Sequence, residues 1–259
     1  RPQVVAGFGG YAAFAPMLAA RLAGVPTVLH EQNAIAGMSN RILGRLARRI
    51  CLSLPGTEGF DASRAVLTGN PVRAAVVALA GRQHDFSGKR LLVMGGSLGA
   101  HALNVHVCRH LDTLRAAGIE VRHQTGVRDE AATREAYAAA GYDPACVSAF
   151  IDDMASAYAW ADLVLCRAGA TTVAELCAAG LPSVLVPFPY AVHDHQTRNA
   201  QALVAEGAAL MLPEARMESD GLMAQVTDLL QDTGRLRTMA AAASGCARVR
   251  AAELVAAEL

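Results

Sequence analysis

Short apolar runs alternate along the chain with longer segments in which apolar residues recur every three or four positions. Such runs are typical of strands buried on both faces, and helices between them make the strands parallel. We therefore predict an α/β fold. The predicted strands are residues 4–6, 25–30, 65–68, 91–94, 119–124, 147–150, 163–166, 183–187 and 209–212.

Helical segments fall between these strands. Helices are predicted at 12–23, 39–50, 100–117, 129–140, 171–179, 199–206 and 219–230, after 151–154 to about residue 161, and over 234–259 with a break near Gly245. From residue 74 to residue 90 the chain is polar and contains Gly81 and Gly88. A domain boundary near residue 73 is predicted to separate two series of βα units.

The helix predicted at 39–50 is amphipathic and basic. Its apolar stripe is formed by Ile42, Leu43, Leu46 and Ile50, and its arginines, gathered largely on another side, are Arg41, Arg45, Arg48 and Arg49. A solvated helix face explains this pattern, and so does a surface that docks on an anionic membrane. The sequence leaves both interpretations open.

Composition excludes several classes of function. The 259 residues include 23 lysines and arginines against 23 aspartates and glutamates, so no net field favours nucleic acid. Six scattered cysteines without a C-x-x-C pair indicate buried thiols in a reducing cytosol, not disulfides or a zinc site. No apolar run approaches the roughly 20 residues of a membrane span.

The stretch from 163 to 200 carries the most informative pattern. A strand, a glycine turn, a helix and a second strand form a βαβ unit in it, and Thr172 and Glu175 have the spacing of a capping box. The glutamate either caps the helix or faces a ligand held by free N–H groups beyond a strand's carboxyl end. Spacing alone does not choose between the two.

Two further strand ends carry candidate chemistry. GGSLGA at 95–100 lacks the G-x-G-x-x-G spacing of a dinucleotide site, so a redox cofactor is not expected. Its glycines, Ser97 and the following helix N-terminus suit a diphosphate, although G-x-S-x-G also allows a hydrolase built on Ser97. HEQN at 30–33 ends another strand, at an edge where loops carry function.

Two histidine patterns are compatible with metal binding. His106 and His110 are four apart on a predicted helix, and His193, Asp194 and His195 lie in a loop. The first is expected to be a surface pair because no third ligand is marked out. The second is expected to bond a polar ligand, so we predict neither a metal nor a cofactor.

Seven motifs in order indicate a family. They are 7–11 (GFGGY), 30–37 (HEQNAIAG), 69–73 (GNPVR), 95–100 (GGSLGA), 150–154 (FIDDM), 167–175 (RAGATTVAE) and 195–200 (HQTRNA). The set resembles the MurG family of bacterial N-acetylglucosaminyltransferases over essentially the whole chain. The resemblance implies a GT-B fold, with two Rossmann-like domains of parallel sheet at 1–73 and 74–245. It also implies that a last helix, 246–259, returns to the first domain.

The implied activity is inverting transfer of N-acetylglucosamine from UDP-N-acetylglucosamine. The acceptor is the 4-hydroxyl of N-acetylmuramoyl-pentapeptide on undecaprenyl diphosphate, at the cytoplasmic face of the cell membrane, where the protein is peripheral. The chain begins at the family's second glycine loop, so the N-terminal domain is expected to be incomplete. Donor binding with little transfer is therefore expected, and a non-catalytic nucleotide-sugar-binding module that needs a partner chain is the alternative.

The resemblance also implies roles for particular residues. Ile151 is expected to meet uracil through its backbone near Arg73, Glu175 to accept the ribose hydroxyls, and the Ser97 loop to hold the diphosphate. The residues expected around N-acetylglucosamine are Ala170, Thr171, Gln196 and Asn33. Further expected substrate-site positions are Gly9, Gly10, Tyr11, Asn40, Asn104, Arg167 and Thr172. Glu31 or His30 is the expected catalytic base.

Overall fold

The computed structural model describes residues 2–96 and 99–259, and its strands form two parallel sheets. The elements of the first are β1 (Val5–Gly7), α1 (Tyr11–Leu22), β2 (Thr27–Glu31), α2 (Met38–Leu46), β3 (Arg49–Leu52) and β4 (Ala65–Leu67). The strands stand in the order β1-β2-β3-β4, with Val28 opposite Arg49 and Ile50 opposite Ala65. Their carboxyl ends therefore lie at one edge.

The second sheet is larger. Its elements are α3 (Ala74–Val77), β5 (Arg90–Met94), α4 (His101–Arg109), α5 (Leu111–Ala116), β6 (Glu120–Gln124), α6 (Glu130–Ala139), β7 (Val147–Ser148), α7 (Met154–Trp160), β8 (Leu163–Cys166), α8 (Ala170–Ala179), β9 (Ser183–Leu185), α9 (His195–Ala205), β10 (Ala209–Met211), α10 (Leu222–Gln231) and α11 (Thr233–Cys246). The strand order is β10-β9-β8-β5-β6-β7. The chain thus moves outward from β5 to β7 and then returns to the other side of β5. Crevices at such reversals are where α/β proteins bind ligands.

Neighbouring residues of the central strands enter two different cores. Leu91, Val93, Leu163, Leu165 and Val184 pack on one face of the second sheet, and Leu92, Met94, Val164, Cys166 and Leu185 pack on the other. Because helices cover both faces, successive residues are apolar although they point in opposite directions. This double burial is the reason that the sequence located these strands.

The last helix, α12 (Ala251–Ala257), leaves the second sheet and packs on the first. Val255 lies in one apolar cluster with Val28 and Cys51. Glu258 pairs with Arg49 at 3.3 Å, a partly exposed contact that adds little to stability. The first sheet is therefore covered by a segment that follows the whole second sheet in sequence.

The prediction of one helix over 39–50 is wrong. α2 ends at Leu46, and residues 49–52 form the strand β3. Ile50 and Cys51 are fully buried between β2 and β4, and a short apolar segment of this kind fits helix or strand periodicity equally well. Arg48 and Arg49 therefore do not extend the basic helix.

Other helix boundaries also differ from the predictions. The helix expected over 100–117 is divided at His110 into α4 and α5, and the polar stretch after residue 73 begins with the short helix α3. α9 begins at His195 rather than at 199, after Asp194, whose carboxylate accepts a 2.6 Å hydrogen bond from the Thr197 hydroxyl. Within the described residues, no helix is both long enough and apolar enough to cross a lipid bilayer.

Candidate functional site

A cavity of about 420 Å³ opens at the carboxyl ends of β5, β6 and β8, beside the reversal in strand order. Its walls come from the glycine loop after β5, the segment before α7, the start of α8 and the loop before α9. The predicted substrate residues that line it are Arg73, Ile151, Arg167, Thr172, Glu175 and Gln196. The structure therefore brings six of the predicted positions, from four separate segments, into one site.

Glu175 is the only carboxylate among the described lining residues. It is 4% exposed, and its two oxygens have different partners. Oε1 accepts hydrogen bonds from Nε and Nη2 of Arg73 at 3.1 and 2.8 Å, and Oε2 accepts one from the Tyr158 hydroxyl at 2.9 Å. A buried charge of this kind is stable only when paired and hydrogen-bonded, and both conditions hold here.

The capping-box interpretation of Thr172 and Glu175 is wrong. α8 begins at Ala170, with Gly169 as its N-cap, so both residues lie inside the helix. Glu175 is in the second turn, where it reaches sideways to Arg73 and Tyr158 rather than back to the helix N-terminus. Glu175 lines the cavity, and its role in binding a ligand stays a prediction.

Tyr158 was missed by sequence reasoning. It lies on α7 in an apolar segment, and its ring is fully buried. Burial raises the pKa of its hydroxyl well above the ordinary value, and the neighbouring Glu175 carboxylate acts in the same direction. Tyr158 is therefore a permanent hydrogen-bond donor that fixes the orientation of Glu175.

The glycine loop after β5 is held by backbone and side-chain contacts. Gly96 and Gly99 have φ angles of 79° and 76°, a region that favours glycine. Gln124, also missed from the sequence, donates from Nε2 to the carbonyls of Gly96 and Ala149 at 3.1 and 2.8 Å. Ser97 lies outside the described residues. The loop leads directly to the N-terminus of α4, where backbone N–H groups favour an anion.

Asn104 does not reach the cavity, contrary to its predicted role in contacting substrate. It is 1% exposed, and its Nδ2 donates to the Thr125 carbonyl at 2.9 Å and to Asp129 at 2.8 Å. Its Oδ1 accepts from Nε2 of His123 at 3.0 Å, and Nδ1 of His123 lies 3.0 Å from the Tyr137 hydroxyl. Because both Asn104 amide hydrogens are used elsewhere, the contacts fix His123 as the neutral Nε2–H tautomer. Asn104 therefore joins α4 to the end of β6.

This buried histidine gives an expected pH dependence of stability. Burial lowers the pKa of His123 to about 3, whereas an unfolded imidazole titrates near 6.5. Between these values the unfolded chain binds more protons, so the free energy of unfolding falls as the pH is lowered through this window. The expected slope from this group is about 1.4 kcal/mol per pH unit below about pH 6, with none above about pH 7. Denaturant unfolding between about pH 7 and about pH 5 measures it.

The matched control is His123→Gln, which cannot titrate. Its free energy of unfolding is expected to be lower at pH 7 but to fall less steeply on acidification. Burial also lowers the pKa of His30 and His106, so a shallower slope rather than a flat one is expected in the variant. An identical slope in the two proteins would remove His123 as its source.

Glu31, one of the two predicted bases, is fully engaged inside the first domain. It is 3% exposed. Oε1 accepts from the Asn33 backbone and side-chain nitrogens at 2.9 and 3.3 Å, and Oε2 accepts from Asn40 at 2.7 Å and from the Gly37 N–H at 3.3 Å. These four bonds hold the loop of 32–40 in shape. The geometry is that of a structural anchor, and Asn40 is part of the same anchor.

His30 is also buried, at 1% exposed. Its Nε2 donates to the Gly69 carbonyl at 3.0 Å, and its ring lies 5.3 Å from that of Phe8. Burial lowers its pKa, against the opposing effects of the Gly69 bond and of Glu31. His30 therefore ties the first glycine loop to the connection between the domains.

Asn33 contacts the second domain through Asn199, a residue that the sequence marked only as part of a motif. Asn199 is fully buried, and its Nδ2 donates to Oδ1 of Asn33 at 3.2 Å and to the Ala168 carbonyl at 3.1 Å. Its Oδ1 accepts from the Ala34 N–H at 3.0 Å. One side chain thus joins the loop after β2 to the turn before α8.

The remaining predicted residues lie around the cavity or away from it. Arg167 lines it, but its guanidinium pairs with Glu214 and donates to the carbonyls of Val186 and Pro187, so it supports the wall. Gln196 accepts from the Phe188 N–H at 2.9 Å, and Phe188 is itself a lining residue that sequence reasoning missed. Of the others, Thr171 is exposed on the first turn of α8, Ala170 lines a smaller cavity between the domains, and Gly9, Gly10 and Tyr11 lie outside the larger cavity.

The cavity therefore has the donors and acceptors that a nucleoside diphosphate needs. Backbone N–H groups and the α4 N-terminus suit phosphate oxygens, and the Arg73 guanidinium adds a positive charge. Glu175 can accept a pair of hydroxyls. A divalent cation such as Mg²⁺ is usually bound by several oxygen ligands. The described lining offers one carboxylate, and that carboxylate is already paired with Arg73.

Two family models match the chain. The glycosyltransferase family 28 C-terminal domain matches residues 90–255, and the glycosyltransferase family 28 N-terminal domain matches residues 1–52. The chain is 53% identical over 258 residues to the UDP-N-acetylglucosamine–N-acetylmuramyl-(pentapeptide) pyrophosphoryl-undecaprenol N-acetylglucosamine transferase of Nitratidesulfovibrio vulgaris strain Hildenborough, a match that covers 98% of this chain and 71% of that protein.

Two further matches are of the same kind. The transferase of that name from Lawsonia intracellularis is 49% identical over 263 residues, covering 100% of this chain and 72% of that protein. The crystal structure of MurG from Acinetobacter baumannii matches with a TM-score of 0.79 at 40% sequence identity, covering 98% of this chain and 74% of that one.

Proposed function

Since the chain belongs to glycosyltransferase family 28, and within it to the MurG transferases, we propose that it transfers N-acetylglucosamine from UDP-N-acetylglucosamine to lipid-linked N-acetylmuramyl-pentapeptide. The fold is the GT-B fold that the sequence predicted. The observation that carries the proposal is the cavity at the carboxyl ends of β5 and β8, in which a paired glutamate, an arginine and a glycine loop converge. Such a site is better suited to binding a nucleotide diphosphate than to catalysis by a serine hydrolase.

The donor lies along the cavity in this proposal. Uracil contacts the backbone at Ile151, and the ribose hydroxyls donate to Glu175, whose orientation Tyr158 fixes. The diphosphate lies on the glycine loop at the N-terminus of α4. The sugar then points toward Gln196 and Thr171, on the side where Asn33 approaches from the first domain.

The chemical step needs charge stabilisation on the leaving group. As the acceptor hydroxyl attacks the anomeric carbon, the bond to the β-phosphate oxygen breaks, negative charge develops on UDP, and the hydroxyl proton passes to water. Fixed N–H dipoles at the α4 N-terminus stabilise that charge without reorganisation. The acceptor oxygen must lie within about 3–3.5 Å of the anomeric carbon on the opposite face, which inverts its configuration. Glu31 and His30 hold the loops of the acceptor side in this scheme. Both carboxylate oxygens of Glu31 and Nε2 of His30 are hydrogen-bonded within the first domain.

A peripheral position on the cytoplasmic face of the membrane is part of the proposal. Large apolar side chains are exposed on the first domain, with Tyr11 at 90%, Leu22 at 81% and Met38 at 61%. Arg41 and Arg45 are exposed on α2. Apolar side chains beside arginines suit an interface with anionic lipid, where the lipid-linked acceptor resides.

Calorimetric titration of the 259-residue chain tests the donor site. UDP and UDP-N-acetylglucosamine are expected to bind, and an excess of EDTA is expected to leave both affinities unchanged, because the lining carboxylate is paired with Arg73 rather than free for a cation. Loss of binding in EDTA would contradict this expectation. The first candidates for ligands would then be His193, just before α9, and His195, at the start of that helix.

Transfer of labelled N-acetylglucosamine to a short-chain lipid acceptor tests the reaction itself. The full-length transferase of Nitratidesulfovibrio vulgaris is the positive control at equal donor saturation. Label in the lipid supports the proposed activity. Donor binding with little transfer agrees with the expectation for this chain, whereas a chain that binds no UDP-N-acetylglucosamine would contradict the proposed activity.

A further inference from the structure

Three potential metal ligands lie close together at the C-terminal end of α4, the end away from the donor cavity. His106 lies in the last turn of α4, His110 follows that helix, and Glu218 precedes α10. One ligand atom from each of the three side chains lies within 4.8 Å of the other two. The sequence showed only the two histidines, because Glu218 is more than 100 positions away in the chain.

The spacing between His106 and Glu218 is informative. Nδ1 of His106 lies 3.4 Å from Oε2 of Glu218, which is long for an N–H···O hydrogen bond. Two atoms that each lie about 2.0–2.1 Å from a tetrahedral metal ion are about 3.4 Å apart. The pair therefore has the separation of two ligands of one ion.

His106 is buried, and one of its two ring nitrogens lacks a hydrogen-bond partner among the described residues. It is 5% exposed, and that nitrogen is Nε2. The His106 and His110 rings and the Glu218 carboxylate nevertheless lie close together. Nothing on the Nε2 side of His106 fixes the tautomer, so Nδ1 is free to present a lone pair to an ion that it shares with Glu218.

His110 is oriented by a backbone contact. Its Nδ1 donates to the His106 carbonyl at 2.8 Å, which leaves the lone pair on Nε2. A ring nitrogen that donates to a carbonyl while the other faces a metal is the usual arrangement of a ligating histidine. The rings of His106 and His110 lie 4.5 Å apart, at the C-terminal end of α4, where the helix dipole favours a cation.

We propose that His106, His110 and Glu218 bind one divalent transition-metal ion of the zinc class, with water as the remaining ligand. Two imidazoles and one carboxylate are a donor set that zinc, cobalt and nickel accept. The ion clamps the end of α4 to the segment before α10. It is separate from the donor cavity, which lies at the other end of α4, roughly 13 Å away by helix length.

Cobalt provides the direct test. The 259-residue chain is stripped with EDTA, dialysed and titrated with Co²⁺ while the visible d–d absorption is recorded. Saturation at one ion per chain is expected, without the near-ultraviolet charge-transfer band that thiolate ligands give. Zn²⁺ at about 100 times its dissociation constant is expected to raise the melting temperature by roughly 5–10 °C.

The variants are His110→Ala and Glu218→Ala, each expected to weaken Co²⁺ binding at least tenfold and to lose the thermal shift. The matched controls are His84→Ala and Glu253→Ala, which remove the same groups outside the cluster and are expected to bind Co²⁺ normally. Unchanged UDP affinity shows that each variant is folded. Equal Co²⁺ affinity in all five proteins, or no saturable binding, would overturn the proposal.

Discussion

Replacing Gly99 with alanine is expected to weaken UDP binding by at least 100-fold. Gly99 has a φ angle of 76°, and an added Cβ would lie 2.2 Å from the Thr125 carbonyl oxygen, a backbone atom held in the sheet edge. The left-handed conformation costs an ordinary residue about 1–2 kcal/mol, and overpacking about 1–3 kcal/mol more. The loop must move to relieve this contact, and its N–H groups then leave the diphosphate. Calorimetry with UDP measures the loss.

Gly96→Ala is the matched control for this prediction. Gly96 also has a positive φ angle, 79°, but an added Cβ would meet nothing within 4 Å. Only the backbone penalty applies, so the unliganded Gly96→Ala protein is expected to melt several degrees above Gly99→Ala. Equal melting temperatures would show that the contact with Thr125 is relieved without cost. Unchanged UDP affinity in Gly99→Ala would move the diphosphate away from this loop.

The second large effect is expected at Glu175. Glu175→Ala removes the acceptor of the ribose hydroxyls and is expected to weaken UDP binding by about 1.5–3 kcal/mol, roughly 10- to 150-fold. It also leaves the Tyr158 hydroxyl buried without its partner, which is expected to lower the free energy of unfolding by about 1–3 kcal/mol. Calorimetry and denaturant unfolding measure the two effects separately.

A second substitution separates binding from stability. Glu175→Ala leaves the buried Tyr158 hydroxyl without its hydrogen-bond acceptor, and Tyr158→Phe removes that hydroxyl. The double variant is therefore expected to recover part of the lost stability but none of the lost UDP affinity. Tyr158→Phe alone is expected to keep most of the affinity, since Arg73 still holds Glu175. Full UDP affinity in a folded Glu175→Ala protein would leave Glu175 as an internal partner of Arg73 and Tyr158 only.

The central strands β5, β8 and β9 of the second sheet were predictable because they are buried on both faces. Leu163 to Cys166 is apolar throughout for this reason, and no amphipathic alternative competes with it. The strand β3 was not predictable in the same way. Its Ile50 continues the apolar spacing of α2, and only pairing with β2 and β4 decides that the chain is extended there.

The site was predictable as a set of motifs, but not in the detail of its contacts. Whether Glu175 caps a helix depends on a helix start that spacing leaves uncertain by several residues, and the structure places that start at Ala170. Tyr158 carries no signal of its own because it is a single polar group in a largely apolar helix. Gln124 carries none because it is one of several polar residues on β6. Asn104 lies in the correct helix but on its buried side, and that rotation follows from the packing of α4 rather than from composition.

The position of α12 has a consequence for the order of folding. All strands and helices of the second sheet come from one uninterrupted stretch of chain, so that domain can form its core during synthesis. The first sheet emerges from the ribosome earlier, yet the cluster of Val28 and Cys51 is completed only by Val255. Until then the apolar surface that α12 will cover is open to water. The sheet made earlier is therefore completed later than the sheet that follows it in the chain.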